Sequence, residues 1–201
     1  MTEGGSVVVT GASSGIGRAA ALALAEAGYP VLAAMRRPEP LATATGRPGE
    51  SPPLDLADPA AIEAFATALL ARGPLRALVN AAGVPCLGAV EELPEARLRG
   101  AMEVNFFGTL ALCRAVAGPL RRQGFGSIVN VSSSLGAAAL PLYGGYCASK
   151  AALEAASEAL RHELAPFGVA VRLLQPGLVA TAFGGKRQAQ APAADSPYAG
   201  R

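Results

Sequence analysis

The chain has 201 residues, 51% of them hydrophobic and 16% charged, which suits one Ala-rich α/β domain over residues 1–201 whose strands are covered on both faces. A net charge of +2 with scattered Lys and Arg, Arg36-Arg37 and Arg121-Arg122 being isolated pairs, excludes a nucleic-acid partner. No stretch reads as a membrane span or leader, so a soluble cytoplasmic protein is expected, and three widely spaced cysteines with the single histidine His162 argue against disulfides and a bound metal.

Ser6-Val7-Val8-Val9-Thr10 is a β-branched run that predicts the first strand. Gly11-Ala12-Ser13-Ser14-Gly15-Ile16-Gly17 follows directly, then an Ala/Leu-rich helix ending near Gly28. Glycines between a strand and a helix permit a tight turn and close backbone approach, and the helix start offers free N–H groups to a pyrophosphate. Residues 30–35 predict a second strand, whose end should face the adenosine ribose. Met35 stands there in place of an acid, followed by Arg36 and Arg37. A guanidinium pairs with a 2′-phosphate, so NADP is favoured over NAD.

Residues 38–53, rich in Pro and Gly, read as a loop or a short, poorly formed helix and residues 53–56 as a very short third strand, with Asp55 in reach of an adenine amino group. Asp58 is placed to cap a helix over residues 59–72 that has Pro59 in its first turn. A fourth strand over residues 76–79 runs into the small-residue turn Asn80-Ala81-Ala82-Gly83, where a cofactor lies close to backbone. Residues 91–123 read as mainly helical and contain Asn105 among apolar neighbours. That amide either satisfies buried backbone groups or holds water beside a reaction centre.

Residues 127–132 predict a buried parallel strand that delivers the Ser133 hydroxyl to its carboxyl end, where ligands bind in open α/β sheets. Tyr146-Cys147-Ala148-Ser149-Lys150 then opens a helix running to about Phe167. Tyr146 and Lys150 are four apart and share a helix face, so the ammonium lowers the phenol pKa and makes the pair a tuned general acid/base. Tyr143 has Cys147 four positions on and is read as a pocket or surface aromatic. Residues 169–174 predict a sixth strand, closed by Gln175-Pro176-Gly177, and residues 181–201 a lid-like or disordered tail. Strands alternating with helices in this way predict a doubly wound parallel sheet, the three-layer Rossmann arrangement. A serine hydrolase is excluded, because Ser133 lacks a G-x-S-x-G setting and His162 an acid partner.

On these residues the chain resembles the short-chain dehydrogenase/reductase family from about Ser6 to Thr181. Thr10 to Gly17 is similar to its cofactor turn, Asp55-Leu56 to its adenine contact, and Asn80-Ala81-Ala82-Gly83 to its N-A-G element with Ala81 in place of a frequent Asn. Asn105, Ser133, Tyr146 and Lys150 match its catalytic four, and Pro176-Gly177 with Val179 and Thr181 resembles its nicotinamide-binding turn. In finer motif the chain resembles NADP-preferring 17β-hydroxysteroid and retinol dehydrogenase-like members. The resemblance implies hydride transfer between nicotinamide and a carbonyl or carbinol carbon. Tyr146 would donate or take the proton, Ser133 would bond the same oxygen, Lys150 would hold the ribose, and Asn105 would support a water relay.

The expected substrate is a hydrophobic ketone, aldehyde or secondary alcohol against a wall of Val84, Cys86, Leu87, Leu135, Leu140, Leu142 and Tyr143. Family analogy implies a homo-oligomer through the helices carrying Asn105 and Tyr146. Members of ordinary length carry another helix and a seventh strand, so this chain is expected to lack the last strand, with an exposed apolar edge, reduced stability and an incomplete pocket. The competing expectation is a truncated NAD(P)-binding protein without turnover.

Overall fold

The computed structural model describes residues 4–41, 49–179, 183 and 195–199. Its strands are β1 Ser6–Thr10, β2 Val31–Ala34, β3 Leu75–Asn80, β4 Gly126–Val131 and β5 Val169–Leu174. They form one sheet in the order β2-β1-β3-β4-β5, every pair parallel. The chain leaves β1 toward one side and returns as β3 on the other. That reversal opens a crevice at the carboxyl ends of β1 and β3.

The helices are α1 Gly15–Glu26, α2 Pro59–Leu70, α3 Glu95–Met102, α4 Thr109–Gln123, the short α5 Ser134–Ala137 and α6 Gly144–Leu164. Strand residues alternate between the two faces, as a period of two requires. Val8, Leu32, Leu78, Ile128 and Val171 pack with Ile62 and Phe65 of α2 and Leu112 and Val116 of α4. Val7, Val9, Val31 and Ala33 pack with Ala21 and Ala25 of α1. Helices thus cover both faces of the sheet, and the result is the expected doubly wound, three-layer Rossmann architecture.

Local chemistry sets the boundaries. Asp58 caps α2 by accepting from Ala60 N at 2.9 Å and Ala61 N at 3.3 Å, with Pro59 opening the helix. Gly124, at φ 79°, ends α4 in the left-handed conformation. The strand expected at residues 53–56 does not form. Met35 makes only an isolated bridge to Pro53, while Leu54 N donates to Met35 O at 3.0 Å. Pro52 and Pro53 have no N–H to continue a ladder, so the strand expected as the sixth is β5. β5 closes the described sheet; its Val169 and Val171 are buried and Leu174 is exposed.

The helix expected over residues 91–123 is also interrupted. Pro94 delays its start to Glu95, and Glu103–Gly108 forms a π-helical turn between α3 and α4. Thr109 Oγ1 donates to Val104 O at 3.1 Å across that turn. Gly108 lies where a Cβ would meet Leu56 O at 1.9 Å, so only glycine lets this helix reach the segment carrying Asp55. The lid-like or disordered tail expected over residues 181–201 falls largely outside the described residues, as does Thr181.

Candidate active site

The turn after β1 is built around close backbone approach. Gly11, at φ 66°, has the position of a Cβ 2.6 Å from Ala82 Cα, and a Cβ on Gly17 would stand 2.5 Å from Gly11 O. Thr10 Oγ1 accepts from Ala81 N and Ala82 N, both at 3.2 Å, which ties the end of β1 to the turn after β3. Ser14 opens α1 without a side-chain hydrogen bond to the helix. The first N–H groups of α1 therefore remain available to an anion.

A cavity of about 920 Å³ runs from this turn across the carboxyl ends of the strands. Gly11, Ser13, Ser14, Gly15, Ile16 and Gly17 line one part of it, and Arg36, Arg37, Asp55 and Leu56 another. Arg36 and Arg37 are exposed and form no ion pair among the described residues. Glu39, which the sequence did not single out, lines the same end. Asp55 Oδ1 accepts from Ala57 N at 3.0 Å, which fixes the carboxylate at the cavity wall.

At the other end stand Ser133, Tyr146, Lys150, Pro176, Gly177 and Val179 with Ala81 and Gly83. Ser133 Oγ accepts from Leu135 N at 3.2 Å and caps α5. Tyr146 and Lys150 both lie on α6, one turn apart, with 8% and 3% of their surface exposed. Lys150 Nζ donates to Val131 O at 2.9 Å and lies 5.9 Å from the Tyr146 ring centroid. Burial pushes the Lys150 ammonium down from its ordinary 10.5 to about 8, and Glu154, one turn further along α6, pulls it partly back. The sheet edge thus holds a poorly solvated cation directly behind a phenol, an arrangement that suits proton exchange.

Asn80 and Asn105 do not line the cavity. Asn80 Nδ2 donates to Asn130 Oδ1 at 2.8 Å, and Asn130 Nδ2 to Ser157 Oγ at 2.8 Å, a buried ladder behind the sheet. Of the two roles open to Asn105, the structural one is filled. Its Oδ1 accepts from Val84 N at 2.8 Å, and its Nδ2 donates to Val84 O and Ser149 Oγ, both at 2.9 Å. The π-helical turn aims this fully buried amide at the segment after β3.

Of the expected apolar wall, Val84, Leu135, Leu140 and Tyr143 line the cavity, whereas Cys86, Leu87 and Leu142 do not. Cys86 is drawn into the packing under α6, where Tyr146 N donates to its carbonyl at 3.2 Å. Phe183 lies in the tail and lines the cavity instead, its ring centroid 5.7 Å from that of Tyr146. All three cysteines are buried free thiols. His162 lies exposed beside Glu158 at 3.2 Å.

Residues 6–192 match the family model described as short chain dehydrogenase. The chain belongs to the short-chain dehydrogenase family. It is 38% identical over 184 residues to the uncharacterized oxidoreductase YusZ of Bacillus subtilis, a match covering 88% of this chain and 65% of that one. It is 36% identical over 199 residues to retinol dehydrogenase 8 of Homo sapiens, covering 95% of this chain and 64% of the relative. The chain therefore spans just under two thirds of the length of these curated relatives. A solved short chain dehydrogenase from Burkholderia cenocepacia in complex with NADP superposes with a TM-score of 0.79 at 33% identity, over 90% of this chain and 75% of that one.

Residues that the sequence reading passed over include Ser132, Ser149, Glu154 and Phe183. Glu154 carried a usable signal, since it stands four after Lys150 on the same helix face. Ser149 and Phe183 carried none, because their roles depend on contacts made far along the chain. No helix among the described residues is long and apolar enough to cross a membrane.

Proposed function

We propose that the chain is an NADP-dependent oxidoreductase acting between the nicotinamide and a hydrophobic ketone, aldehyde or secondary alcohol, with Tyr146 as general acid/base. The observation that carries this reading is the buried Lys150 behind Tyr146, at one end of a cavity whose other end holds Arg36 and Arg37. The residues fit such a cofactor. The tight turn of Gly11 and Gly17, where a Cβ would strike backbone, lines the cavity, and with the uncapped start of α1 it suits the pyrophosphate. Arg36 and Arg37 suit a 2′-phosphate, Asp55 and Leu56 the adenine, and Pro176, Gly177, Val179 and Thr181 the nicotinamide end. Ala81 and Gly83 bring backbone close to the same end, with Asn80 supporting them from behind the sheet.

When bound, the nicotinamide supplies or accepts the hydride. The chain's own residues handle the oxygen. In reduction, Tyr146 Oη gives a proton to the developing alkoxide, and Ser133 Oγ donates a hydrogen bond to the same oxygen. Lys150 favours the phenolate that remains and holds the ribose, while Asn105 keeps the segment at Val84 in place beside it. Leu135, Tyr143 and Phe183 pack in one apolar cluster with Tyr146 and, with Leu140, line the cavity, which supports a hydrophobic substrate. Self-association through the helices carrying Asn105 and Tyr146 belongs to the same proposal and is read from the sedimentation mass.

NADPH absorbance followed with a panel of aliphatic and aromatic ketones tests the reading. Substrate-dependent loss of absorbance that disappears in Tyr146→Phe supports it. Tight NADPH binding without oxidation by any carbonyl would replace it with a binding role.

A further inference from the structure

The carboxyl ends of β4 and β5 and the middle of α6 meet at one carboxylate. Ser132 Oγ donates to Glu154 Oε1 at 2.6 Å, and Gln175 Nε2 donates to Glu154 Oε2 at 2.9 Å. Ser132 directly precedes Ser133, and Gln175 directly precedes Pro176-Gly177. Backbone bonds run beside this clasp, from Ser132 N to Leu174 O at 2.8 Å and from Ser134 N to Pro176 O at 2.9 Å. Glu154 itself does not line the cavity. Room for it depends on Gly136, where a Cβ would stand 2.1 Å from Glu154 Oε1.

We propose that Glu154 is a positioning residue for hydride transfer, its carboxylate tying Ser132 and Gln175 to α6 and so fixing Ser133 and the Pro176-Gly177 turn against Tyr146 and Lys150. The inference rests on the oxidoreductase reading, because it takes that turn as the seat of the nicotinamide. A carboxylate accepting from two side chains holds both more firmly than a neutral acceptor does. It adds a side-chain tie among three segments that also meet through backbone bonds and through Lys150 Nζ on Val131 O. The same charge favours the ammonium of Lys150 against the burial that disfavours it. Glu154 thus acts on both arms of the site while touching neither substrate nor cofactor.

Two titrations separate positioning from general structural support. NADPH probes the whole cavity, whereas adenosine 2′,5′-bisphosphate probes only the end at Arg36 and the glycine turn, away from Glu154. In Glu154→Ala, NADPH affinity falls about tenfold while that of the bisphosphate changes less than about twofold. Gly136→Ala, which displaces the carboxylate but keeps it, gives the same pattern. Glu154→Gln keeps an acceptor for Ser132 and shows a smaller loss, about threefold, and with Gly136→Ala it carries the test if Glu154→Ala does not fold. Unchanged NADPH affinity in these variants, or equal weakening of both ligands, overturns the inference. A parent chain that binds neither ligand overturns the oxidoreductase reading itself and the inference with it.

Discussion

Replacing Lys150 with methionine should make the protein more stable while removing its activity. Lys150 is 3% exposed, and burial brings its ammonium from 10.5 down to about 8. At about 1.4 kcal/mol for each tenfold change, that fall corresponds to about 3 kcal/mol of cost for keeping the charge in the folded state. Methionine removes the charge and keeps the apolar stem, but it leaves Val131 O without the donor now at 2.9 Å, a loss of about 1 kcal/mol. The net expectation is a gain of about 2 kcal/mol at neutral pH.

The sign follows from proton counting. Below about 8 both folded and unfolded chains carry the charge, so the cost is fully present. Between about 8 and 10.5 the unfolded chain holds the proton that the folded chain has released, and the stability of the parent rises with pH. The advantage of Lys150→Met should therefore shrink as pH rises through that window. Urea unfolding of both proteins at neutral pH and near the top of the window measures it. A variant less stable than the parent at neutral pH, or a difference that does not change with pH, would mean that the buried charge of Lys150 does not cost the fold stability.

Gly17→Ala places a Cβ 2.5 Å from a backbone oxygen that has no easy escape; it should cost about 3 kcal/mol by urea unfolding and abolish NADPH binding. Asn105→Ala unpairs the N–H and C=O of Val84 and removes the donor to Ser149 Oγ, which keeps its own bond to Tyr146 O. Its expected cost is about 3 kcal/mol in the same assay, larger than its effect on NADPH affinity in whatever fraction folds. Tyr146→Phe should lower ketone reduction by about a hundredfold or more with NADPH binding retained, whereas Tyr143→Phe should leave it within about threefold.

The sequence was most legible where structure is local. The glycine turn after β1, the Asp58 cap and the four-residue spacing of Tyr146 and Lys150 are short-range patterns, and each appears in the structure where expected. The strand expected at residues 53–56 does not form, because Pro52 and Pro53 cannot donate to a ladder. The break at Glu103–Gly108 was hidden, since a π-helical turn has no composition of its own and rests here on Thr109 and on close packing at Gly108. Ala81 lines the cavity while the side chain of Asn80, the last residue of β3, enters the buried ladder with Asn130, a difference that only the structure shows. Glu154 and Phe183 became visible only once segments far apart in sequence were brought together.

The cavity is proposed as a working NADP site, and titrating NADPH and NADH against the purified chain and its Arg36→Ala variant tests that proposal. NADPH should bind tighter than NADH by about tenfold or more, and the variant should lose that preference with NADH affinity unchanged. Equal affinity for both cofactors, or a preference that survives Arg36→Ala together with Arg37→Ala, would contradict it.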